Sequence, residues 1–326
     1  MVNLFPVDEG TSKMFKKLTA LFFILPFSFS VFGQDNLSPK QLLTEMLAAQ
    51  NKLNYEISYV QIAGAEIDTY RYRHVYNEGK SYAQLATLEG GKQEIIQRDN
   101  LISYFHSNYS PFSIRGSQII DNLPNIVNAD FSRIEKHYDF INMGRNRIAD
   151  RLVQTVRILP KDNFRYQYVV FIEEKTHLLL GSDMLDQDGN LLERFRVVNF
   201  YIDDQMTQPL TDALSKLPTP PVLDKATPPK NKLSWQAGWL PQGFAVLNNY
   251  LTKTDEDTIE SRLYSDGLFS FTIYVSNNIL PENQENVWKQ GSFTIYSESM
   301  KDKEVTIIGQ IPLTTAKRIV QEIKSN

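Results

Sequence analysis

The pattern of apolar and polar positions between residues 141 and 202 predicts a meander of antiparallel strands. The third of its three turns is Asp188-Gly189, and Asp-Gly between apolar runs is a strong hairpin signal because both residues tolerate positive φ. A sheet of consecutive strands has an apolar face, so helices or a ligand must cover it. The predicted strands are Val153–Leu159, Tyr166–Ile172, Leu178–Leu185 and Leu191–Ile202.

Alternation of apolar and polar residues extends this sheet toward the N-terminus. Helical spacing over 37–53 predicts a first helix, with Ser38 as its N-cap and Pro39 as its first residue. One or two short helices are predicted between 121 and 140, where they cross the sheet. The additional strands are predicted at 53–59, 67–75, 81–88, 93–98 and 101–105.

Six prolines between 209 and 232 predict a linker, partly extended because proline fixes φ. The chain therefore divides into a large domain over 34–208, the linker over 209–232, and a small domain over 233–326. In the small domain, Ser265-Asp266-Gly267 joins two strands of a hairpin, and a closing helix is predicted over 313–324. The predicted fold class is mainly β with helices, α+β.

The N-terminus is predicted to carry an export signal. A short basic stretch after Met14 precedes an apolar run over 18–32, so residues 1–33 are interpreted as a signal peptide with Met14 as the true start. The alternative is a membrane anchor that is never cut. The chain has no cysteine, which excludes disulfides, thiol catalysis and a lipid-modified cysteine after the signal.

The net charge and the motif content of the sequence argue against several classes of function. A formal net charge of -4 argues against a sequence-independent nucleic-acid binder, so no nucleic-acid partner is predicted. The motifs of hydrolases, metalloproteases and nucleotide-binding enzymes are missing, and the four histidines have no ligand spacing. We expect no catalytic residue, no cofactor and no metal site, and hence no enzyme.

Aromatic residues on the predicted strands allow two interpretations. They form a closed β core, since aromatics favour strands, or they line a ligand cavity, since pockets use the same residue types. The residues chosen as candidates for a lipid cavity are Tyr104, Phe105, Phe171 and Phe195. Arginines interleaved with the aromatics, such as Arg194 and Arg196, would suit the anionic head group of an amphiphile.

Long runs of residues resemble the RseB/MucB family of periplasmic regulators of the sigma-E envelope-stress pathway. The resemblance covers nearly the whole mature chain and identifies no reactive atom. The runs that carry it include Arg71-Tyr72-Arg73-His74, Tyr138-Asp139-Phe140-Ile141, Arg147-Ile148-Ala149-Asp150-Arg151, Trp239-Leu240-Pro241-Gln242-Gly243-Phe244 and Glu260-Ser261-Arg262-Leu263-Tyr264-Ser265-Asp266-Gly267-Leu268-Phe269-Ser270.

The resemblance implies a large domain similar to the lipoprotein carriers LolA and LolB, which is a half-closed antiparallel barrel covered by helices. It implies a periplasmic protein that binds the periplasmic part of the anti-sigma factor RseA and shields it from the protease DegS. Lipopolysaccharide or another amphiphile is expected to release it. The alternative is a lipid or lipoprotein carrier of the LolA kind, which would not need the second domain. A homodimer is left open.

The small domain carries the candidates for contact with RseA. The turn at 265–267 is expected to project from the sheet, and Arg and Tyr often dominate interface energy. The candidates are Arg262, Tyr264, Asp266 and Phe269. The alternative for Tyr264 and Phe269 is a cross-strand core pair, whereas an unpaired buried guanidinium at Arg262 would be costly.

Overall fold

The computed structural model describes residues 37–223, 232–253, 257–277, 281, 284–300 and 302–325. The predicted signal peptide and the middle of the predicted linker lie outside these residues. Residues 37–326 form one compact unit.

Eleven strands form one antiparallel sheet. The strands are β1 Tyr55–Ala63, β2 Glu66–Asn77, β3 Lys80–Thr87, β4 Gln93–Arg98, β5 Leu101–His106, β6 Tyr109–Arg115, β7 Tyr138–Ile148, β8 Arg151–Pro160, β9 Gln167–Glu173, β10 Leu179–Leu185 and β11 Leu191–Ile202. Their order in the sheet is β6-β5-β4-β3-β2-β1-β11-β10-β9-β8-β7. The pairing of β1 with β11 joins the run β1–β6 to the run β7–β11, and β6 and β7 remain as edges, so the sheet is not closed. The predicted meander over 141–202 is confirmed.

Helix α1, Pro39–Lys52, covers the sheet and contacts both β2 and β7. The Ser38 side chain accepts a hydrogen bond from the Gln41 backbone, and the Gln41 side chain accepts one from the Ser38 backbone, which completes a capping box. Leu42, Leu43 and Met46 are buried at helical spacing. The predicted short helices are a 3-10 turn at Asn125–Asn128 and α2 at Phe131–Ile134.

The first part of the predicted linker belongs to the large domain. Helix α3, Thr207–Ser215, buries Leu210 and Leu214 against Val75 and Ile96. Residues 220–223 then run beside β6: the Ser113 backbone N–H donates to the Pro221 carbonyl over 2.8 Å, and the Leu223 N–H donates to the Ser113 carbonyl over 2.7 Å. The expectation of a linker beginning at 209 is therefore wrong, because apolar residues four apart outweigh the single Pro209 in the first turn of α3.

The smaller C-terminal part is built on a six-stranded antiparallel sheet. Its strands are β13 Ala245–Lys253, β14 Thr258–Ser265, β15 Ser270–Asn277, β16 Glu285–Gln290, β17 Phe293–Met300 and β18 Lys303–Gly309, in the spatial order β13-β14-β15-β18-β17-β16. Helix α4, Leu313–Gln321, packs against β17 and β18 through Ala316, Ile319 and Val320. A further pair, β12 Trp235–Ala237 with β19 Ile323–Ser325, brings the two ends of this part together. The α+β fold class is confirmed.

Candidate functional site

A buried arginine of the large domain lies where the large domain meets the small sheet. The turn before β9 positions Arg165, because the Asp162 carboxylate accepts from the Phe164 backbone and from the Arg165 guanidinium. Arg165 Nη1 donates to Asp266 Oδ2 over 2.7 Å, and Nη2 donates to the Gln242 carbonyl over 2.6 Å. Its side chain is fully buried, so its charge depends on these partners.

The Asp266 carboxylate is the centre of this network. Its Oδ2 also accepts a 2.6 Å hydrogen bond from the Tyr138 hydroxyl of β7. Its Oδ1 accepts from the backbone N–H groups of Leu268 and Phe269, which fixes the turn between β14 and β15. Burial raises the pKa of Tyr138 well above its ordinary value, and the Asp266 carboxylate raises it further, so the phenol remains a donor. Both oxygens of the buried carboxylate are therefore satisfied.

The 265–267 turn, which was expected to project from the small sheet as a contact for a partner, lies against the large domain. Asp266 is buried, and a Cβ on Gly267 would lie 3.1 Å from Ile134 of α2. Phe269 is also buried and stacks on Tyr168 of β9 at 5.6 Å with an interplanar angle of 8°. The turn instead inserts into the large sheet's side of the contact, because its carboxylate and its aromatic neighbour find partners there.

The other two candidates for partner contact lie on β14. Tyr264 is buried and stacks on Phe271 at 5.3 Å, so it is a core residue that pairs with Phe271 and not with Phe269. Arg262 is half-buried. Its Nε donates to Asn249 Oδ1 over 2.7 Å, and its guanidinium lies 5.3 Å from the Trp235 ring centroid. A role for Arg262 in binding a partner stays a prediction.

The four candidates for a lipid cavity do not share one cavity. Tyr104 and Phe105 are successive residues of β5 and therefore point to opposite faces of the sheet. The Tyr104 hydroxyl donates to Asp121 Oδ2 over 2.7 Å, and its ring stacks on Phe112 at 4.9 Å. Phe105 lines a cavity of about 390 Å³ beside Leu217, just after α3.

Phe195 and Phe171 also point to opposite faces of the sheet. Phe195 lies 4.7 Å from the Tyr59 ring and lines a void of only about 20 Å³ near Tyr72, which has room for about one water. Phe171 lies under the Arg196 guanidinium at 4.5 Å. The expected single cavity is thus replaced by packed aromatics and a separate groove at Phe105. Contact of any of the four with a lipid stays a prediction.

The arginines interleaved with these aromatics largely have acidic partners. Asp183 accepts from Arg194 over 2.8 and 3.0 Å and from Arg196 over 2.8 Å. Arg73 Nε donates to Glu56 over 2.8 Å. These guanidinium groups serve cross-strand ion pairs, which reduces the positive charge available to an anionic head group.

Sequence reasoning missed Arg165, the one arginine among the largest fully buried side chains. The available signal was its position two residues after the Asp162-Asn163 turn, which places a guanidinium close to a carboxylate. Its second carboxylate partner, Asp266, lies 101 positions further along the chain, and no local pattern points to that contact.

The part of the chain that the structure describes contains no group of three or more His, Asp or Glu side chains that could hold a metal ion. None of the helices in that part is long and apolar enough to cross a membrane.

The fold and the contact between its sheets define a two-part β protein whose parts are joined by buried polar groups. The chain belongs to the MucB/RseB family. The model of the MucB/RseB N-terminal domain matches residues 38–222, and the model of the MucB/RseB C-terminal domain matches residues 229–324.

Individual relatives extend over nearly the whole chain. The sigma-E factor regulatory protein RseB of Haemophilus influenzae is 50% identical over 309 residues, covering 94% of this chain and 98% of the relative. RseB of Escherichia coli K12 is 40% identical over 286 residues, covering 87% and 89%. The solved complex of Pseudomonas aeruginosa MucA/MucB has the same fold, with a TM-score of 0.71 at 22% identity over 88% of this chain and 99% of the other.

Proposed function

We propose that this protein is a periplasmic negative regulator of a sigma-E-type envelope-stress response. It binds the periplasmic domain of an RseA-type anti-sigma factor and catalyses no reaction. The observation that carries the proposal is the match of both family domains, in order and nearly end to end, together with 50% identity to a sigma-E factor regulatory protein.

The partner class is supported by a relative of the same fold. The Pseudomonas aeruginosa MucB was solved as a complex with MucA, and a second structure is described as MucB in complex with MucA(peri). Because the two sheets here are held together by a buried network, the protein offers the partner a preorganised surface drawn from both sheets.

Binding is proposed to act by shielding. A bound regulator covers the segment of RseA that DegS would cut, so proteolysis is slowed in proportion to the bound fraction. Lipopolysaccharide or a similar amphiphile is proposed to weaken the complex. By linkage, RseA must then weaken the binding of that amphiphile by the same factor.

The test is calorimetry with the purified mature protein and the periplasmic domain of RseA from the same organism. Saturable binding is expected, and saturation is expected to protect RseA from DegS. An unrelated periplasmic domain of similar charge is the control. Absence of binding would contradict the regulator. If the protein instead extracted lipids or lipoproteins from vesicles and left RseA unbound, the carrier function would replace it.

A further inference from the structure

A cleft of about 580 Å³ lies between the two sheets, on the side of β16 and β17. One wall is a cross-strand row of the small sheet, in which Trp288 pairs with Ile295 and Ile295 pairs with Ile308. The other wall comes from the large domain and includes Glu66 of β2 together with Ile120 and Asp121 of the segment that follows β6.

The apolar row in this cleft has no role in the core of the small sheet. Along β17, Thr294 and Tyr296 are buried on the face that α4 covers, and Lys317 of α4 lies 5.4 Å from the Tyr296 ring. Phe293 points to the opposite face and is 46% exposed, and Trp288 is 51% exposed. Exposed aromatics that gather beside one cleft, off the covered core of the sheet, favour an interaction site.

The charged side chains that line the cleft have one sign. Its lining includes Glu66, Asp121 and Glu193 and no lysine, arginine or histidine. Asp121 and Glu193 are held by hydrogen bonds from Tyr104 and Ser292, whereas Glu66 is exposed. Acidic groups beside low-dielectric walls concentrate a negative potential, which attracts cations and repels anionic head groups.

We propose that this cleft binds a segment of the partner polypeptide that carries an apolar side chain and a lysine or arginine. The apolar side chain packs against Trp288 and Phe293, and the cation lies near Glu66 and Asp121. This inference rests on the proposed function, since it names the surface and the kind of segment through which the RseA-type periplasmic domain is bound.

The experiment uses two variants of the full mature chain. Trp288→Ala removes the exposed aromatic, and Glu66→Lys reverses the exposed charge. Each is expected to weaken binding of the RseA periplasmic domain about tenfold or more, the scale of an interface hot spot. Glu66→Lys is also expected to flatten the loss of affinity with added salt, because the screened attraction is gone. Trp288→Phe should recover part of the affinity.

Two control variants distinguish the loss of contacts in the cleft from a general effect of substitution or charge on binding. Val287→Ala alters an exposed residue, one position away on the same strand, that does not line the cleft. Glu45→Lys makes the same charge change on the exposed side of α1. Both are expected to bind as the wild type does, and urea unfolding should show the cleft variants and the controls to be as stable as the wild type because every changed side chain is exposed.

The outcomes separate this inference from the proposed function. If the wild type binds RseA and the two cleft variants bind equally well, the inference is overturned and the regulator stands. Equal losses in the controls would also overturn it. If the wild type does not bind RseA, both the inference about the cleft and the proposed function are wrong. If Trp288→Ala abolishes self-association in sedimentation without changing affinity for RseA, the cleft is instead an interface between copies.

Discussion

Arg165 and Asp266 form a 2.7 Å ion pair between the two parts of the protein, with both side chains fully buried and 101 positions apart in the chain. Such a pair is a weak source of net stability, because desolvation offsets much of its attraction. Removing one partner is costly, since the remaining charge stays buried. The pair therefore favours one arrangement of the sheets over the alternatives that would leave either charge without its partner.

Asp266→Asn should destabilise the protein by about 3 kcal/mol, because it keeps the shape of the side chain and removes the charge that faces Arg165. Urea unfolding followed by circular dichroism measures this. Asp150→Asn is the control: Asp150 pairs with Arg147, but its side chain is 94% exposed, so the expected change is within about 0.5 kcal/mol. Equal stabilities of the two variants would contradict the role assigned to the buried pair.

The sequence was sufficient for the conformation of the 265–267 turn and insufficient for its surroundings. Asp-Gly requires positive φ at the glycine, and Gly267 has a φ of 103°. The same residues also offer a carboxylate and an adjacent aromatic to any partner. These groups could contact solvent, another protein or the chain's own Arg165. The packing of the two sheets decides among these partners, and the local sequence pattern does not encode that packing.

Elements with local determinants were predicted well. The first helix was placed within two residues of its observed bounds because Ser38 and Pro39 mark its start. Helix α3 was missed because proline content dominated the interpretation of 209–232. The spacing of Leu210 and Leu214 was the available signal, and it becomes decisive only once Val75 and Ile96 are known to form the opposing surface.

Leu214→Ala should cost about 2–5 kcal/mol, since Leu214 is 2% exposed and its loss leaves a cavity under α3. Leu217→Ala, three residues later and 38% exposed, should cost well under half as much. Chemical denaturation of both variants measures the difference. If the two variants were equally stable, α3 would not be part of the large domain's core.

Gly309 permits the close approach of β18 to β15. A Cβ at this position would lie 2.4 Å from the Phe271 Cα and 2.5 Å from the Ser270 carbonyl oxygen, so backbone would have to move. Gly309→Ala is expected to destabilise by about 1–3 kcal/mol, the usual cost of overpacking. Gly91→Ala is the matched control, because its Cβ would meet only the Ser107 hydroxyl at 3.6 Å. The melting temperatures of the two variants give the comparison. A melting temperature of Gly309→Ala equal to that of the wild type would contradict the close approach of the two strands.

The buried His74 makes the free energy of unfolding depend on pH, and a single substitution can isolate its contribution. The ring is 3% exposed, and its Nδ1 donates to the Leu53 carbonyl over 2.8 Å. Burial lowers the pKa of His74 below its ordinary value of 6.5, and the hydrogen bond to Leu53 only partly opposes this. As pH falls through 6.5, the unfolded chain takes up a proton that the folded chain does not, so the free energy of unfolding decreases.

His74→Gln keeps a donor for the Leu53 carbonyl and removes the titrating group. The wild type should lose more stability than this variant between about pH 7.5 and about pH 5.5, because only the wild type gains a proton at position 74 on unfolding. Urea unfolding of both proteins at the two pH values gives the comparison. His106, His137 and His177 are present in both proteins, so their contributions cancel in the difference. Parallel pH profiles for the two proteins would show that His74 titrates alike in the folded and unfolded states, and that its burial has no effect on stability in this range.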